Sequence, residues 1–375
     1  MIYKDFKGKK LSALGFGCMR FPTIEGDGSK IDEAATAEMI DYAIKNGINY
    51  FDTAWGYHGG NSEIVVGKLL SKYPRDSYYL ATKFPGYDLA NMNKAEEIFE
   101  RQLEKTGADY FDFYLFHNVC ERNIDGFLNP EYKILDYLLE QKKKGRIRHL
   151  GFSAHGVYET MKRFLDAYGE HIEFCQIQLN WIDWELQGAK QKVELLKEYN
   201  IPVWVMEPLR GGKLAEISPE DTAELIAMRP DEKIPAWAFR FIETIPEVTM
   251  VLSGMSNMEQ LKENIATFSS KKPLNEKENE KLLSIARKMT TGVPCTACSY
   301  CTEYCPQSLN IPRLINLYNQ HKYSGGGFLI SMALDAMGAD KQPSSCIGCR
   351  SCEAVCPQGI KISEILSDFS DRLKS

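Results

Sequence analysis

Tyr50-Phe-Asp-Thr-Ala-Trp-Gly-Tyr-His-Gly-Gly-Asn-Ser-Glu63 is the stretch of sequence that decides the fold. It begins as a strand, since aromatic residues follow Asn46-Gly47, a pair that typically ends the preceding element. It ends as a helix that Asn61 or Ser62 can cap. The loop between them carries Asp52 and Tyr57, and titratable side chains just past a strand end are typical of α/β active sites. The structural alternative is a turn-capping aspartate beside a surface tyrosine.

The same alternation of strand and helix continues on both sides of this stretch. The predicted inner strands are continuous apolar runs, which is typical of parallel strands buried on both faces. Eight strand–helix units over roughly 270 residues predict an α/β fold of the (β/α)₈ barrel type. An open doubly wound sheet is the alternative, but no G-x-G-x-x-G follows the first strand. The strands are expected at residues 11–17, 48–52, 78–84, 110–116, 147–152, 174–179, 203–206 and 248–252. The helices are expected at residues 32–46, from 61 or 62, 93–106, 131–144, 156–168, 187–199, 233–244 and 257–267.

The rest of the chain divides by composition. Residues 1–272 are expected to form the barrel, with a long connection at 207–232 of the kind that is usually functional or mobile. Residues 273–291 carry a charged linking helix, and residues 292–375 form a small, mainly helical domain rich in cysteine and proline.

Charge and hydropathy exclude several classes of protein. The chain of 375 residues has a net charge of −6 with acidic and basic residues interspersed, which gives no electrostatic case for nucleic acid or an anionic membrane. We find neither an apolar signal sequence nor a run long enough to span a bilayer, and we expect a cytoplasmic protein.

Eight of the eleven cysteines form two copies of one run: Cys295-x₂-Cys298-x₂-Cys301-x₃-Cys305-Pro306 and Cys346-x₂-Cys349-x₂-Cys352-x₃-Cys356-Pro357. This is the spacing of bacterial ferredoxins, in which the fourth cysteine of each run ligates the other cluster. Zinc is the alternative, but this double spacing favours two [4Fe-4S] clusters. Cluster 1 is assigned to Cys295, Cys298, Cys301 and Cys356. Cluster 2 is assigned to Cys346, Cys349, Cys352 and Cys305.

Four polar residues fall at or beyond the ends of successive strands: Asp52, Tyr57, Lys83 and His117. A tyrosine is a weak acid, and a nearby lysine cation would lower its pKa while an aspartate holds the lysine in place. A histidine can orient a carbonyl or relay a proton. The structural alternative is a salt bridge at the barrel mouth beside a core histidine.

With these residues in place, the sequence resembles the aldo-keto reductase superfamily over residues 1 to about 268. The resemblance implies a barrel that binds NADP(H) or NAD(H) without a Rossmann domain and reduces a small carbonyl compound. It implies Tyr57 as the general acid, Lys83 and Asp52 as residues that tune it, and His117 as a substrate-orienting residue. The motifs that carry it are Phe-Asp52-Thr-Ala-Trp-Gly-Tyr57 with Asn61-Ser-Glu63, Thr-Lys83-Phe, Tyr-Leu-Phe-His117, Gly-Phe-Ser153, Pro208-Leu-x-Gly-Gly212 and Leu261-x-Glu263-Asn264.

The resemblance also implies cofactor-binding positions. Ser153 and Gln176 match residues that hold the nicotinamide amide, and Met206 stands where an aromatic side chain usually stacks on the ring. The family's asparagine after Ser153 is Ala154 here. Gly254 and Gln260 replace cations that often bind the 2′-phosphate, so NAD and NADP both stay open. The remaining matching positions are Leu209, Gly211, Gly212, Lys213 and Leu214 over the pyrophosphate, Ser253 in the last strand, and Glu263 with Asn264 at the adenine.

The two halves of the chain handle electrons differently. A hydride carries two electrons and an iron–sulfur cluster takes one at a time, so direct exchange normally needs a flavin, for which we find no motif. Three hypotheses follow: a nicotinamide-dependent reductase with structural, regulatory or partner-linked clusters; an electron-transfer protein whose barrel binds nucleotide or a partner without turnover; and a barrel that uses cluster electrons on an unusual substrate. A flavoprotein or a ferredoxin would be the redox partner.

Overall fold

A computed structural model describes residues 1–374 as two compact units, Met1–Glu280 and a second that begins at Lys281. The division falls inside the charged helix Glu276–Met289, which lies within the expected linking segment 273–291. Within the described residues, none of the helices is long and apolar enough to cross a membrane.

The first unit is a closed barrel of eight parallel strands, which confirms the predicted fold class. The strands pair in chain order, and the last one closes the barrel by pairing with the first. A two-stranded antiparallel hairpin precedes them in the chain. The strands are β1 Tyr3–Phe6, β2 Lys9–Ser12, β3 Leu14–Gly17, β4 Tyr50–Asp52, β5 Tyr79–Phe84, β6 Phe111–Val119, β7 Ile147–Ala154, β8 Phe174–Gln178, β9 Val203–Met206 and β10 Val248–Ser253.

Helices alternate with the barrel strands as predicted. Asp32 caps the first of them by accepting a hydrogen bond from the Ala35 backbone N–H at 3.0 Å. Helices such as Glu33–Lys45 and Tyr158–Tyr168 bury one apolar face, which is the usual pattern for a helix that packs on a sheet, whereas Ile234–Ile242 is buried all round from Ala236 onward. The main helices are Glu33–Lys45, Ser62–Leu70, Ala95–Thr106, Ile134–Lys143, Tyr158–Tyr168, Ala189–Glu198, Ile234–Ile242 and Met258–Thr267. Shorter helices occupy Ile124–Leu128 and Asp183–Leu186.

The first inner strand is shorter than the predicted 11–17. Leu11 belongs to the hairpin, whose Phe6 and Leu11 are buried in one cluster with Tyr50, Phe113 and other core residues. The chain changes direction after Ser12, where its Oγ accepts from the Asn49 backbone and donates to the Leu14 carbonyl. The hairpin therefore closes the end of the barrel where the strands begin.

The long connection at 207–232 is more regular than expected, since it contains the helix Pro219–Met228. Ser218 caps this helix by accepting from the Asp221 backbone N–H at 3.1 Å, and Pro219 occupies its first turn. Both are ordinary helix-start signals.

The second unit packs short helices around a core that includes Leu314, Tyr318 and Phe369. The Tyr318 hydroxyl donates to Asp368 at 2.6 Å and ties the two longer helices together. Two helices of this unit, Ile311–Ser324 and Phe328–Asp335, lie between the cysteine runs. The helices are Tyr300–Glu303, Ile311–Ser324, Phe328–Asp335, Ser351–Ala354 and Ile362–Arg372.

Candidate active site and iron–sulfur centre

A buried ion pair lies where β4 and β5 end. Lys83 Nζ donates to Asp52 Oδ1 at 2.6 Å and to the Thr53 carbonyl at 2.7 Å. The Lys83 side chain is fully buried and that of Asp52 is 5% exposed. Burial acts to lower the pKa of Lys83, but the Asp52 carboxylate and the Tyr57 oxygen outweigh it and hold that pKa above its ordinary value. Lys83 is therefore a fixed cation inside the barrel.

Tyr57 lies directly beside this cation. Lys83 Nζ is 5.0 Å from the centroid of the Tyr57 ring. Burial raises the pKa of Tyr57 and Lys83 opposes the rise, so the net shift is upward. The expected effect of the lysine is present, but the expected net lowering is wrong because withdrawal of the phenol from water has the larger effect. Tyr57 consequently holds its proton at neutral pH.

His117, near the end of β6, stands between two phenol rings. Its ring meets Tyr57 edge-on at 6.0 Å between centroids and Tyr87 edge-on at 5.3 Å. Burial, the Lys83 cation and His155 together hold the pKa of His117 well below its usual range. His117 Nδ1 is buried while the ring is partly exposed. His117 is thus a neutral imidazole whose Nε2 is the nitrogen open to a substrate.

Glu63, in the first turn of the helix Ser62–Leu70, is the centre of a buried network. Its Oε1 accepts from Thr82 at 2.6 Å and from Gln102 at 2.7 Å, and its Oε2 accepts from Lys105 at 2.6 Å. Gln102 also donates to the Lys83 carbonyl at 3.0 Å. The network supports the backbone of β5 behind Lys83. A buried acid at the start of a helix, within reach of two strands, could have been suspected, but its partners lie far away in sequence.

Lys105 extends this network to the mouth of the barrel. Its ammonium lies 4.6 Å from the centroid of the Trp55 ring, in cation–π geometry. Asn61 does not cap its helix as expected, because its amide donates to the Ser29 carbonyl at 3.0 Å. Ser62 instead uses its hydroxyl to donate to the Cys18 carbonyl. The loop after β4 is thereby held by contacts from several sides.

The residues expected around the nicotinamide lie on neighbouring strands. Ser153 pairs with Gln176 across β7 and β8, and Gln178 pairs with Met206 across β8 and β9. The hydroxyl of Ser153 is buried and accepts from the Asn118 backbone N–H at 2.8 Å. The side chain of Gln176 faces Asp52 and favours its ionised form, although burial raises the pKa of Asp52 overall.

The expected pyrophosphate and adenine residues lie in two further loops. Gly211 and Gly212 have positive φ angles in the turn Arg210–Gly212, and Leu214 is buried. The Ser253 hydroxyl accepts from Asn264 at 3.1 Å. Two further expected side chains also have partners: Gln260 Oε1 accepts from the Ser256 backbone N–H, and Glu263 forms an ion pair with Lys233.

In the second unit, the four cysteines of each predicted set line one common hollow. The last cysteine of each run lines the cavity of the other run. No three acidic, histidine or cysteine side chains among residues 1–374 converge as they would around a single metal ion. Four thiols around one hollow fit a [4Fe-4S] cluster, which is held by four cysteine thiolates. The first cavity is lined by Cys295, Cys298, Cys301 and Cys356. The second is lined by Cys305, Cys346, Cys349 and Cys352.

Comparison with known proteins agrees with this geometry. Residues 13–287 match the model of the aldo/keto reductase family, and residues 294–360 match a 4Fe-4S dicluster domain. The chain belongs to the aldo/keto reductase family and is an oxidoreductase that carries a C-terminal 4Fe-4S domain.

Individual relatives are distant in sequence. The chain is 26% identical to the NADH-specific methylglyoxal reductase of Escherichia coli over 305 residues, which covers 69% of this chain and 90% of that one. It is 27% identical to L-galactose dehydrogenase of Arabidopsis thaliana over 285 residues, which covers 70% of this chain and 86% of that one. An aldo-keto reductase from Bacillus halodurans superposes with a TM-score of 0.62 at 24% identity, over 76% of this chain and 96% of that one. An aldo-keto reductase from Klebsiella pneumoniae in complex with NADPH superposes with a TM-score of 0.60 at 19% sequence identity, over 76% of this chain and 96% of that one.

Pairs of cysteine substitutions test the crossed ligation by iron content. Cys305→Ser with Cys349→Ser should remove one cluster only and leave about four irons per chain, because both thiols are assigned to cluster 2. Cys305→Ser with Cys298→Ser should remove both clusters. The measurement is iron and sulfide analysis of anaerobically purified variants, with the unchanged chain as the control. The reverse pattern, in which the second pair retains more iron than the first, would show that each run ligates its own cluster.

Proposed function

We propose that the barrel reduces an aldehyde or ketone with NADPH or NADH as the hydride donor. The observation that carries the proposal is the buried Lys83–Asp52 ion pair beside the Tyr57 ring, with a neutral His117 edge-on to the same ring. This arrangement holds one proton, one fixed cation and one uncharged imidazole at a single point of the barrel mouth. A developing alkoxide needs a proton donor of this kind.

The nicotinamide cofactor, when bound, supplies the hydride to the carbonyl carbon. Tyr57 then donates its proton to the carbonyl oxygen. Lys83 stabilises the phenolate that remains, since it is charged and lies within 5.0 Å of the ring centroid. Asp52 holds Lys83 in place through the contact of 2.6 Å. His117 orients the carbonyl by donating through Nε2, which an uncharged imidazole does without competing for the proton.

The same proposal assigns the cofactor to the strand ends and loops around this point. Ser153 and Gln176 would hold the nicotinamide amide and Met206 would pack against its ring, where a thioether supplies contact but no stacking geometry. The turn Arg210–Gly212 would cover the pyrophosphate, since its glycines allow close backbone approach. Ser253, Gln260, Glu263 and Asn264 would line the adenosine end.

The clusters of the second unit would then have a structural role or exchange single electrons with a partner such as a flavoprotein or a ferredoxin. A second candidate function is electron transfer by the whole chain, with a barrel that binds nucleotide or a partner but does not turn over a carbonyl. Met206 and Ala154 favour it, since each departs from the nicotinamide-binding pattern of the family. The intact set of Asp52, Tyr57, Lys83 and His117 favours the reductase.

Tyr57→Phe separates these two functions. Removing the hydroxyl should lower the rate of carbonyl reduction by about 10²- to 10⁴-fold, because the proton donor is lost while the ring remains. Binding of NADPH and NADH, followed by quenching of protein fluorescence, should stay within about twofold and serves as the control for folding. Equal carbonyl turnover by the variant and the unchanged protein would rule out Tyr57 as the acid.

The pH profile tests the charge states of the site. Tyr57 is protonated below its pKa, which lies above the ordinary value of 10.0, so its proton is lost only at strongly alkaline pH. His117 is neutral above its pKa, which lies well below the ordinary value of 6.5. We therefore expect kcat/KM for carbonyl reduction to be flat from about pH 6.5 to about pH 9, measured at constant ionic strength. A tenfold fall between about pH 7 and pH 9 would contradict these charge states.

A further inference from the structure

Tyr87 is a third hydrogen-bond donor at the active site, beside Tyr57 and His117, and it takes no part in the proposed proton transfer. It lies three residues beyond the end of β5, and its ring meets His117 edge-on at 5.3 Å, closer than the 6.0 Å of Tyr57. It is partly exposed, so a ligand can reach it.

Gly56 fixes where the Tyr87 hydroxyl lies. A Cβ atom added to Gly56 would stand 2.5 Å from the Tyr87 hydroxyl oxygen, so this oxygen rests directly against the residue that precedes Tyr57. The backbone of Gly56 has a φ of −94°, which any residue can adopt. The backbone would accept an alanine at this position, but its Cβ atom would have to displace the Tyr87 hydroxyl.

The Tyr87 hydroxyl keeps its proton. Burial, followed by the nearby charges of Glu63 and Tyr57, raises the pKa of Tyr87 to about 12. The contact with Gly56, the residue before Tyr57, places the Tyr87 hydroxyl beside the loop that carries Tyr57. Tyr87 is consequently a neutral donor throughout the pH range in which the barrel would work.

A single carbonyl oxygen cannot use all three donors. Its two lone pairs are taken by the Tyr57 hydroxyl and His117 Nε2 in the proposed reaction. A third donor against Gly56, on a ring that contacts His117, is satisfied by an oxygen on the neighbouring carbon. An unmet donor in a partly buried site lowers affinity, so a substrate that supplies this second oxygen is preferred.

We propose that Tyr87 binds the second oxygen of the substrate, and that the barrel prefers carbonyl compounds with an oxygen on the adjacent carbon, such as 2-oxoaldehydes. The inference rests on the proposed function. In the reaction, the hydride adds to the aldehyde carbon, its oxygen takes the proton of Tyr57, and the nicotinamide is oxidised. The second oxygen accepts a hydrogen bond from Tyr87 and its covalent bonds do not change.

Two aldehydes of equal carbon number make the test. Methylglyoxal carries the second oxygen and propanal does not, and kcat/KM is measured for both with the full chain, purified anaerobically, and saturating NADPH or NADH. The unchanged protein should favour methylglyoxal. In Tyr87→Phe, which keeps the ring against His117, the ratio of the two kcat/KM values should fall about tenfold. Gly56→Ala, which displaces the hydroxyl, should lower the same ratio.

Tyr3→Phe is the matched control. Tyr3 lies in the hairpin at the opposite end of the barrel and donates to the Gly47 carbonyl at 3.0 Å, so its loss should leave the ratio unchanged. An unchanged ratio in Tyr87→Phe, whether both rates fall or neither does, overturns the role of Tyr87 and leaves the proposed function standing. Failure of the unchanged protein to reduce either aldehyde contradicts the proposed function, and the inference falls with it.

Discussion

The ion pair between Lys83 and Asp52 is the interaction on which the rest of the site depends. Both groups lie inside the barrel, where removal of one partner would leave a buried charge uncompensated and destabilise the fold by about 3–5 kcal/mol. The pair forms only if β4 and β5 lie side by side in parallel, with Asp52 opposite Ala81. Once it is formed, the cation stands beside Tyr57 and depresses the basicity of the imidazole of His117. The Lys83 cation thus acts on both groups. Together with burial it keeps the imidazole of His117 neutral, and against burial it limits the rise in the pKa of the Tyr57 phenol.

Much of the barrel could be predicted from sequence because its strands are uninterrupted apolar runs, and the pairing of Asp52 with Lys83 followed from their places at successive strand ends. The helix Pro219–Met228 was missed although Ser218 and Pro219 are start signals, since no strand separates it from the preceding loop. The sequence predicted a lowered pKa for Tyr57, whereas the pKa is raised, because the burial that raises it depends on tertiary packing. Tyr87 and the buried network around Glu63 were missed for the same reason, since each acquires its role from partners distant in sequence.

The chain combines two redox chemistries that differ in how many electrons move together. The barrel offers a proton donor and a fixed cation, which suit hydride transfer to a carbonyl. The cysteine-lined cavities of the second unit suit iron–sulfur clusters, which exchange electrons singly. Chemistry that links the two needs a group able to accept a pair and release single electrons, such as a flavin. Within our account that group belongs to a partner, and the barrel completes its reaction without it.

An anaerobic absorbance spectrum of the purified protein tests this account most directly. NADPH or NADH is added first and an aldehyde second, while the nicotinamide band and the broad iron–sulfur band are followed together. We predict that the cofactor alone leaves the iron–sulfur band unchanged, and that the aldehyde then consumes the nicotinamide band without altering the clusters. Bleaching of the iron–sulfur band by the cofactor alone would contradict the account, because the clusters would then receive electrons from the nicotinamide within this one chain.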